Sequence, residues 1–154
     1  PPPGTAALIT SGLIHKGHHT WGTQPVRLHG QQYRAPLVVL DRLSPAMRQW
    51  AATRLVPKLL LATQTREIET VLDATGSLLP SVPVITITLS GAKTAPRQAI
   101  SLETIQTCLH DPLITQIART RTAGLGLSPG AIKLSAKSAL TLPLRLPPCT
   151  PKSK

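Results

Sequence analysis

The apolar residues of this chain are grouped in short runs that glycine, proline and polar residues interrupt. Compact apolar runs at 35–40 and 58–62 predict buried strands, because a strand enclosed on both faces holds few polar residues. Residues 66–73 and 81–89 alternate apolar and polar side chains, with a turn signal at 74–77. This alternation predicts an antiparallel hairpin with Glu67 and Glu69 facing solvent and Ile68 facing the core.

N-terminal capping residues predict the helices. Ser44 precedes a proline and a run of helix formers at 46–54, Ser101 precedes a short apolar-periodic segment, and Asp111 precedes a second proline-initiated segment that ends near Gly124. Two short runs, 131–134 and 142–146, predict terminal strands, the second one at a sheet edge because prolines interrupt it. Together the elements predict a mixed α+β (α/β) fold with a small, mostly antiparallel sheet and two or three helices.

The chain of 154 residues suits one domain, which we expect at 6–148. The proline-rich residues 1–5 are predicted to be a linker or a truncation boundary, and residues 149–154 a disordered basic tail. Because the chain begins with Pro1 and not with methionine, we expect it to be a piece of a larger protein.

Basic residues outnumber acidic ones by 17 to 6, which gives a formal net charge of +11 and favours a polyanion as the partner. All six acids lie between Asp41 and Asp111, so both ends of the chain are free of aspartate and glutamate. The low aromatic content, 2%, disfavours single-stranded RNA, whose bases stack on aromatic side chains. Nucleic acid is therefore the first candidate, and a merely solvated set of charges is the alternative.

Sequence patterns for catalysis or metal binding are weak. His15, His18 and His19 have the spacing of a metal pair, but no cysteine or carboxylate lies within ligand spacing of them. The glycines at 124–130 lack the Gly-Lys-Ser/Thr of a phosphate-binding loop. Cys108 falls on the apolar side of a predicted helix, which indicates a core position and not a nucleophile. The sequence predicts no catalytic residue, no metal site and no cofactor site in this chain.

No apolar run approaches the roughly 18 residues that a membrane-spanning helix needs, so no membrane partner is expected. Cys108 and Cys149 are far apart and do not suggest a disulfide framework. We therefore expect a protein of the cytoplasm, associated with the nucleoid if it binds DNA.

Several segments, taken in order, carry a family resemblance. They are LITSGLI at 8–14, PKLLLATQTR at 57–66, LPSVPVI at 79–85, DPLITQI at 111–117, LSPGAIKLS at 127–135 and LPLRLP at 142–147. This order resembles the region that follows the catalytic core in adenine-specific DNA methyltransferases of the gamma and restriction-modification type. One departure is His110-Asp111, where that family usually has an Asn-Ser pair.

In that family the corresponding region is the target recognition domain, so the resemblance implies that this chain recognises a sequence in double-stranded DNA. The family's Asn/Asp-Pro-Pro-Tyr/Phe loop and its glycine-rich cofactor motif do not occur in the chain. Catalysis and S-adenosylmethionine would then belong to an upstream methyltransferase domain of the parent protein, and a restriction subunit is a further expected partner.

Under this hypothesis two groups of residues have different tasks. Gln64 and Arg66 are suited to base edges, because glutamine and arginine form bidentate contacts with adenine and guanine. A basic cleft is expected to hold phosphates through the following residues: Arg34, Lys58, Arg119, Arg121, Lys133 and Lys137. Trp21 and Tyr33 could wedge or stack against bases, with packing over an aliphatic face as the alternative for Trp21.

Two other function classes remain open at this point. One is a freestanding specificity subunit or a general nucleic-acid-binding or interaction domain with no associated methyltransferase. The other is an RNA or ribosome partner.

Overall fold

The chain forms small β-sheets covered by helices, and the computed structural model describes residues 1–89, 100–125 and 128–146. Within these ranges there are twelve short strands and four α-helices. The strands are β1 Thr5–Ile9, β2 Ile14–His15, β3 His18–His19, β4 Val26–Leu28, β5 Gln31–Tyr33, β6 Leu37–Val39, β7 Lys58–Leu61, β8 Gln64–Thr65, β9 Thr70–Asp73, β10 Leu78–Pro80, β11 Ile85–Ile87 and β12 Ile132–Lys133. The helices are α1 Pro45–Arg54, α2 Leu102–Leu109, α3 Pro112–Arg121 and α4 Ala136–Leu140.

Strand β7 lies at the centre of the fold and is buried along its whole length. It pairs antiparallel with β9 on one side and with β11 on the other. Leu59 and Leu61 face one hydrophobic cluster, and Leu60 faces another, so both faces of the strand are covered. This explains the continuous apolar run at 58–62, because the strand has no solvent-facing side on which polar residues would be favoured.

A second sheet has the order β10-β1-β6, with β1 parallel to β10 and antiparallel to β6. Helix α1 covers this sheet, and Ala51 of the helix packs with Ala6 and Leu79 of the sheet. Helix α1 begins where the sequence predicts, since the Ser44 hydroxyl accepts a hydrogen bond from the Met47 N–H.

Helices α2 and α3 cover the face of β7 that points away from the β10-β1-β6 sheet. They also begin at their predicted capping residues, Ser101 and Asp111. Leu109, Ile114 and Ala118 from these helices pack against Leu59 and Leu61. Cys108 is buried at the same helix pair, as predicted for a core residue. The molecule is thus layered as α2 and α3, then the β9-β7-β11 sheet, then the β10-β1-β6 sheet, then α1. The predicted mixed α+β class with small, mostly antiparallel sheets is confirmed.

The predicted hairpin between 66–73 and 81–89 is wrong. Strands β9 and β11 do not pair with each other but flank β7, since the doubly buried β7 takes a partner along each edge. The turn at 74–77 is present, yet it carries the chain to β10 in the other sheet. Gly76 in this turn has φ +72° and lies so close to Val56 that an added Cβ would stand 2.7 Å from the Val56 carbonyl carbon. Glycine is therefore required where the chain crosses between sheets.

The carboxyl-terminal prediction is also partly wrong. Residues 132–133 form the expected strand, but 142–146 form none; the preceding segment is instead α4, begun by a capping box between Ser135 and Ser138. Leu142 is buried in the cluster beneath α3, and Leu144 packs against it, so these apolar residues fill the core without joining a sheet. Four helices in the described ranges exceed the two or three that the pattern predicts, because α4 is too short to leave a periodic signal.

Residues 37–39 form the strand expected there, but β6 lies at a sheet edge, and Leu37 and Val39 are about two-fifths exposed.

The expected disordered tail, residues 149–154, lies outside the described residues, and the domain boundaries at 6 and 148 remain a prediction. Within the ranges that the structure describes, no helix is both long and apolar enough to cross a membrane.

Candidate nucleic-acid interface

A five-residue loop at 64–68, here named the recognition loop, carries both predicted base contacts. Its first two residues form β8 and pair antiparallel with β12, which places Gln64 opposite Lys133. At its other end Ile68 is buried, and the Ile68 N–H donates to the hydroxyl of Thr115 on α3 at 3.1 Å. The loop is therefore attached at both ends to other parts of the fold.

The middle of the recognition loop is held by Arg119, one turn beyond Thr115 on α3. Its Nε donates to the Arg66 carbonyl oxygen at 3.0 Å, and its Nη2 donates to the same oxygen. The Thr65 hydroxyl donates to the Glu67 carbonyl oxygen within the loop. A backbone fixed in this way has already lost the conformational freedom that binding would otherwise remove.

Above this fixed backbone the side chains of Gln64 and Arg66 are exposed to solvent. Lys133 is exposed as well, and as the cross-strand neighbour of Gln64 it shares the same face of the two-stranded pair. The structure thus brings together Gln64, Arg66, Lys133 and Arg119. A glutamine, an arginine and further positive charge on one rigid edge suit contacts to both bases and phosphates.

Glu67 within the recognition loop and Glu69 just after it are each close to a basic residue of the β2–β3 hairpin. Lys16 Nζ lies 3.3 Å from Glu67 Oε2, and His15 Nδ1 lies 3.9 Å from Glu69 Oε1. Burial raises the pKa of Glu69, and the charge of His15 opposes that shift. These exposed or half-buried pairs stabilise the fold little, but they reduce the negative potential next to Arg66.

Lys58 was expected to contact phosphate, and the structure corrects this. Its side chain is fully buried, and Nζ donates to Asp73 Oδ2 and, at 3.2 Å, to the Val56 carbonyl oxygen. Burial lowers the pKa of Lys58, and the hydrogen bond to Asp73 opposes that shift. The Asp73 carboxylate also accepts the N–H groups of Ser77 and Leu78 at 3.0 Å each. Lys58 therefore joins β7 to β9 and to the start of β10, and it cannot reach a phosphate.

The other predicted phosphate contacts are divided among several elements and do not line one cleft. Arg119 lines a groove of about 340 Å³ next to the segment after α3. Arg121 donates through Nη1 to the Thr141 carbonyl oxygen at 2.6 Å, which ties α3 to the end of α4. Lys137 is exposed on α4, and Arg34 is exposed just beyond β5. Of the predicted set, only Arg119 and Lys133 adjoin the recognition loop.

Trp21 and Tyr33, the two expected wedge residues, differ in their surroundings. Trp21 is half-buried, packs against the cluster between the two sheets, and donates from Nε1 to the Pro36 carbonyl oxygen at 2.9 Å. The packing alternative for Trp21 is therefore correct. Tyr33 remains 41% exposed on a two-stranded hairpin of β4 and β5, residues 26–33, which we name the β-ribbon.

Two histidines, His19 and His110, are half-buried. His110 Nε2 lies 2.8 Å from the Thr70 hydroxyl, and burial together with the charge of Lys16 lowers the pKa of His110. Burial also lowers the pKa of His19, whose Nδ1 has no hydrogen-bond partner among the described residues. Among residues 1–89, 100–125 and 128–146, no three histidine, cysteine, aspartate or glutamate side chains are grouped so that they could hold a metal ion.

The supporting contacts of the recognition loop escaped the sequence analysis. Arg119 was assigned to phosphate, and Thr115 was given no task, although both hold the loop from 53 and 47 positions away along the chain. No local pattern marks such distant contacts.

Comparison with known proteins identifies no relative, since neither a protein-family model nor a curated protein matches the chain.

Proposed function

We propose that this chain is a DNA sequence-recognition module that contacts base edges in duplex DNA through the recognition loop. The observation that carries the proposal is the backbone of the loop, which Arg119, Thr115 and β12 hold while Gln64 and Arg66 stay exposed. Base recognition needs donor and acceptor groups aimed from a rigid support, because discrimination depends on bidentate geometry.

The charge distribution supports duplex DNA as the partner. The net charge is +11, and Glu67 of the recognition loop, Glu69 just after it and the buried Asp73 each lie beside a basic side chain. Lys133 and Arg119 next to the loop, and Lys137 and Arg34 farther away, supply positive charge for phosphates. Such contacts strengthen binding to any duplex without selecting its sequence.

We assign the module to an S-adenosylmethionine-dependent, adenine-specific DNA methyltransferase, on the ordered motifs between residues 8 and 147. The catalytic residues and the S-adenosylmethionine site would lie in another part of the parent protein, which would act in the cytoplasm on the nucleoid, alone or with a restriction subunit. The task of this chain would be to choose which adenine is presented for methylation.

The test is an affinity selection from a random duplex library, followed by binding measurements over a range of salt concentrations. The wild-type chain should enrich a defined motif. Arg66→Ala should change or relax one position of that motif, whereas Lys137→Ala should weaken all duplexes equally and reduce the slope of log affinity against log salt by about 0.9. Equal losses from both substitutions would contradict base recognition by Arg66.

A second candidate function is general nucleic-acid binding without sequence preference, which the net charge alone favours. It predicts that the selection enriches no motif and that every substitution of a basic residue acts only through salt-dependent affinity.

In the parent protein the methyltransferase assignment predicts that Arg66→Ala changes which adenines carry the N6-methyl group, as mapped by sequencing of genomic DNA.

A further inference from the structure

The β-ribbon is a separate surface feature that the proposed function does not use. Its two strands are joined by a two-residue turn, in which His29 has φ +48° and Gly30 has φ +83°. Positive φ at both turn residues is the type I′ geometry, whose twist matches that of the paired strands. The β-ribbon is therefore shaped by its own sequence.

Pairing divides the side chains of the β-ribbon between two faces. Arg27 lies directly opposite Gln32, so both project from one face. The half-buried Val26 and Leu28 lie on the other face, together with Gln31 and Tyr33. In agreement with this, the Tyr33 hydroxyl donates a hydrogen bond to Gln31 Oε1 at 2.8 Å.

Arg27 and Gln32 are exposed, and within the described part of the chain neither side chain has a hydrogen-bond or ion-pair partner. Their Cβ atoms, as those of directly opposed residues in an antiparallel pair, are about 5 Å apart. This spacing is comparable with the rise of about 3.4 Å between successive base pairs. One arginine and one glutamine are thus placed to reach neighbouring base pairs.

We propose that the β-ribbon is a second DNA-recognition element, with Arg27 and Gln32 contacting base edges in the major groove. The major groove of B-DNA, about 12 Å wide, admits a two-stranded β-ribbon. Arginine pairs with the O6 and N7 atoms of guanine, and glutamine with the N6 and N7 atoms of adenine. The inference rests on the proposed function, since it adds a second recognition element to the same duplex-binding module.

Charge complementarity selects duplex DNA as the occupant of this face. Residues 1–40 include no aspartate or glutamate, whereas Arg27 and Arg34 lie on and beside the β-ribbon. A phosphate-rich partner therefore meets no repulsion from carboxylates of this segment.

The β-ribbon and the residue that precedes the recognition loop line neighbouring grooves. A groove of about 730 Å³ is lined by Arg27 and Tyr33 of the β-ribbon and, among other residues, by the segment 81–83. The same segment lines a second groove, of about 570 Å³, together with Thr63, which immediately precedes Gln64. Ser11 from the first groove lies 3.4 Å from Thr63, hydroxyl to hydroxyl. The β-ribbon and the residue before the recognition loop are thus connected by two grooves that share the segment 81–83.

The test compares the motifs that the full chain and its variants enrich from random duplexes. Arg27→Lys keeps the positive charge but loses the planar fork of guanidinium donors. It should therefore retain the salt dependence of binding and lose preference at one guanine by about 5- to 150-fold. Gln32→Ala should relax a neighbouring position. Gln31→Ala, on the opposite face, is the matched control and should enrich the wild-type motif. Circular dichroism checks that each variant is folded.

Protection of guanine N7 from dimethyl sulfate gives a second readout in the major groove. Wild type should protect the guanine that Arg27→Lys leaves reactive. If Arg27→Lys and Gln32→Ala enrich the wild-type motif while Arg66→Ala does not, the β-ribbon proposal is wrong and the proposed function stands. If the wild-type chain enriches no motif, both fail.

Discussion

The recognition loop and the β-ribbon present the same pair of side-chain types, arginine and glutamine, on backbones that are supported in different ways. Contacts from distant parts of the chain hold the recognition loop, since Arg119 donates to the Arg66 carbonyl oxygen across 53 positions. The β-ribbon is held by pairing within residues 26–33 and by its His29-Gly30 turn. One surface thus depends on the tertiary fold, and the other depends on local backbone geometry.

Because of this difference, each surface is sensitive to changes in a different part of the molecule. A change in α3 can displace the recognition loop without touching the β-ribbon, because the contacts of Thr115 and Arg119 end on Ile68 and Arg66. A change in the 29–30 turn can disturb the β-ribbon without touching α3. Both surfaces are nevertheless attached to the central sheets, since the recognition loop lies between β7 and β9 and the β-ribbon leads into β6.

The largest effect is expected from Asp73→Ala, which removes support that both surfaces share. The substitution leaves the buried Lys58 ammonium without its carboxylate and leaves the N–H groups of Ser77 and Leu78 without an acceptor. Breaking a buried ion pair from one side costs about 3–5 kcal/mol of unfolding free energy. Urea denaturation followed by circular dichroism measures this loss.

Asp41→Ala is the matched control for Asp73→Ala, because Asp41 is an exposed aspartate outside the central sheet. Its free energy of unfolding should stay within about 0.5 kcal/mol of the wild-type value. Similar losses from the two substitutions would mean that the Lys58–Asp73 pair is not the joint between the sheets.

A smaller and more selective effect is expected from Arg119→Met. The change frees the Arg66 carbonyl oxygen while leaving both predicted base contacts in place. Preference at the base pair read by Arg66 should fall by about tenfold, since discrimination by a bidentate contact depends on a rigid support. The measurement is relative affinity for the enriched duplex and for its single-base variants.

Arg121→Met removes the same charge from the same helix, but the Arg121 guanidinium binds Thr141 and not the recognition loop. It should weaken all duplexes alike and preserve the base preference. Identical preference profiles for Arg119→Met and Arg121→Met would show that the hydrogen bonds from Arg119 do not position Arg66.

The sequence predicts the local features of this fold well. Ser44, Ser101 and Asp111 start helices as predicted, because a capping side chain and its helix are only a few residues apart. The buried run at 58–62 is a strand, but its central place between β9 and β11 depends on pairings that no local pattern contains. The hairpin prediction failed for that reason.

The candidate site shows the same limit at the level of single residues. Lys58 looks like any basic residue at a strand start, and only its pairing with Asp73, 15 positions away, makes it part of the core. Gln64 and Arg66 could be selected from the sequence because exposure follows from their place after a buried strand. The contacts that hold their backbone, from Thr115 and Arg119, could not be predicted from the sequence. The β-ribbon was not predicted either, because His29-Gly30 is not one of the dipeptides that typically mark a two-residue hairpin turn.

The smallest effect, and the sharpest test of local support, is expected from Gly30→Ala. Gly30 has φ +83°, a conformation that costs a residue with a Cβ about 1 kcal/mol, although no atom lies within 4 Å of the added group. The strain should loosen the β-ribbon and weaken base preference only at the positions assigned to Arg27 and Gln32, with Arg66-dependent preference unchanged. Amide hydrogen exchange in residues 26–33 should quicken in parallel. Gly12→Ala, at a glycine that lacks positive φ and has equally open surroundings, is the control and should change neither readout. A uniform loss of preference across the motif would mean that the β-ribbon and the recognition loop are not independently supported.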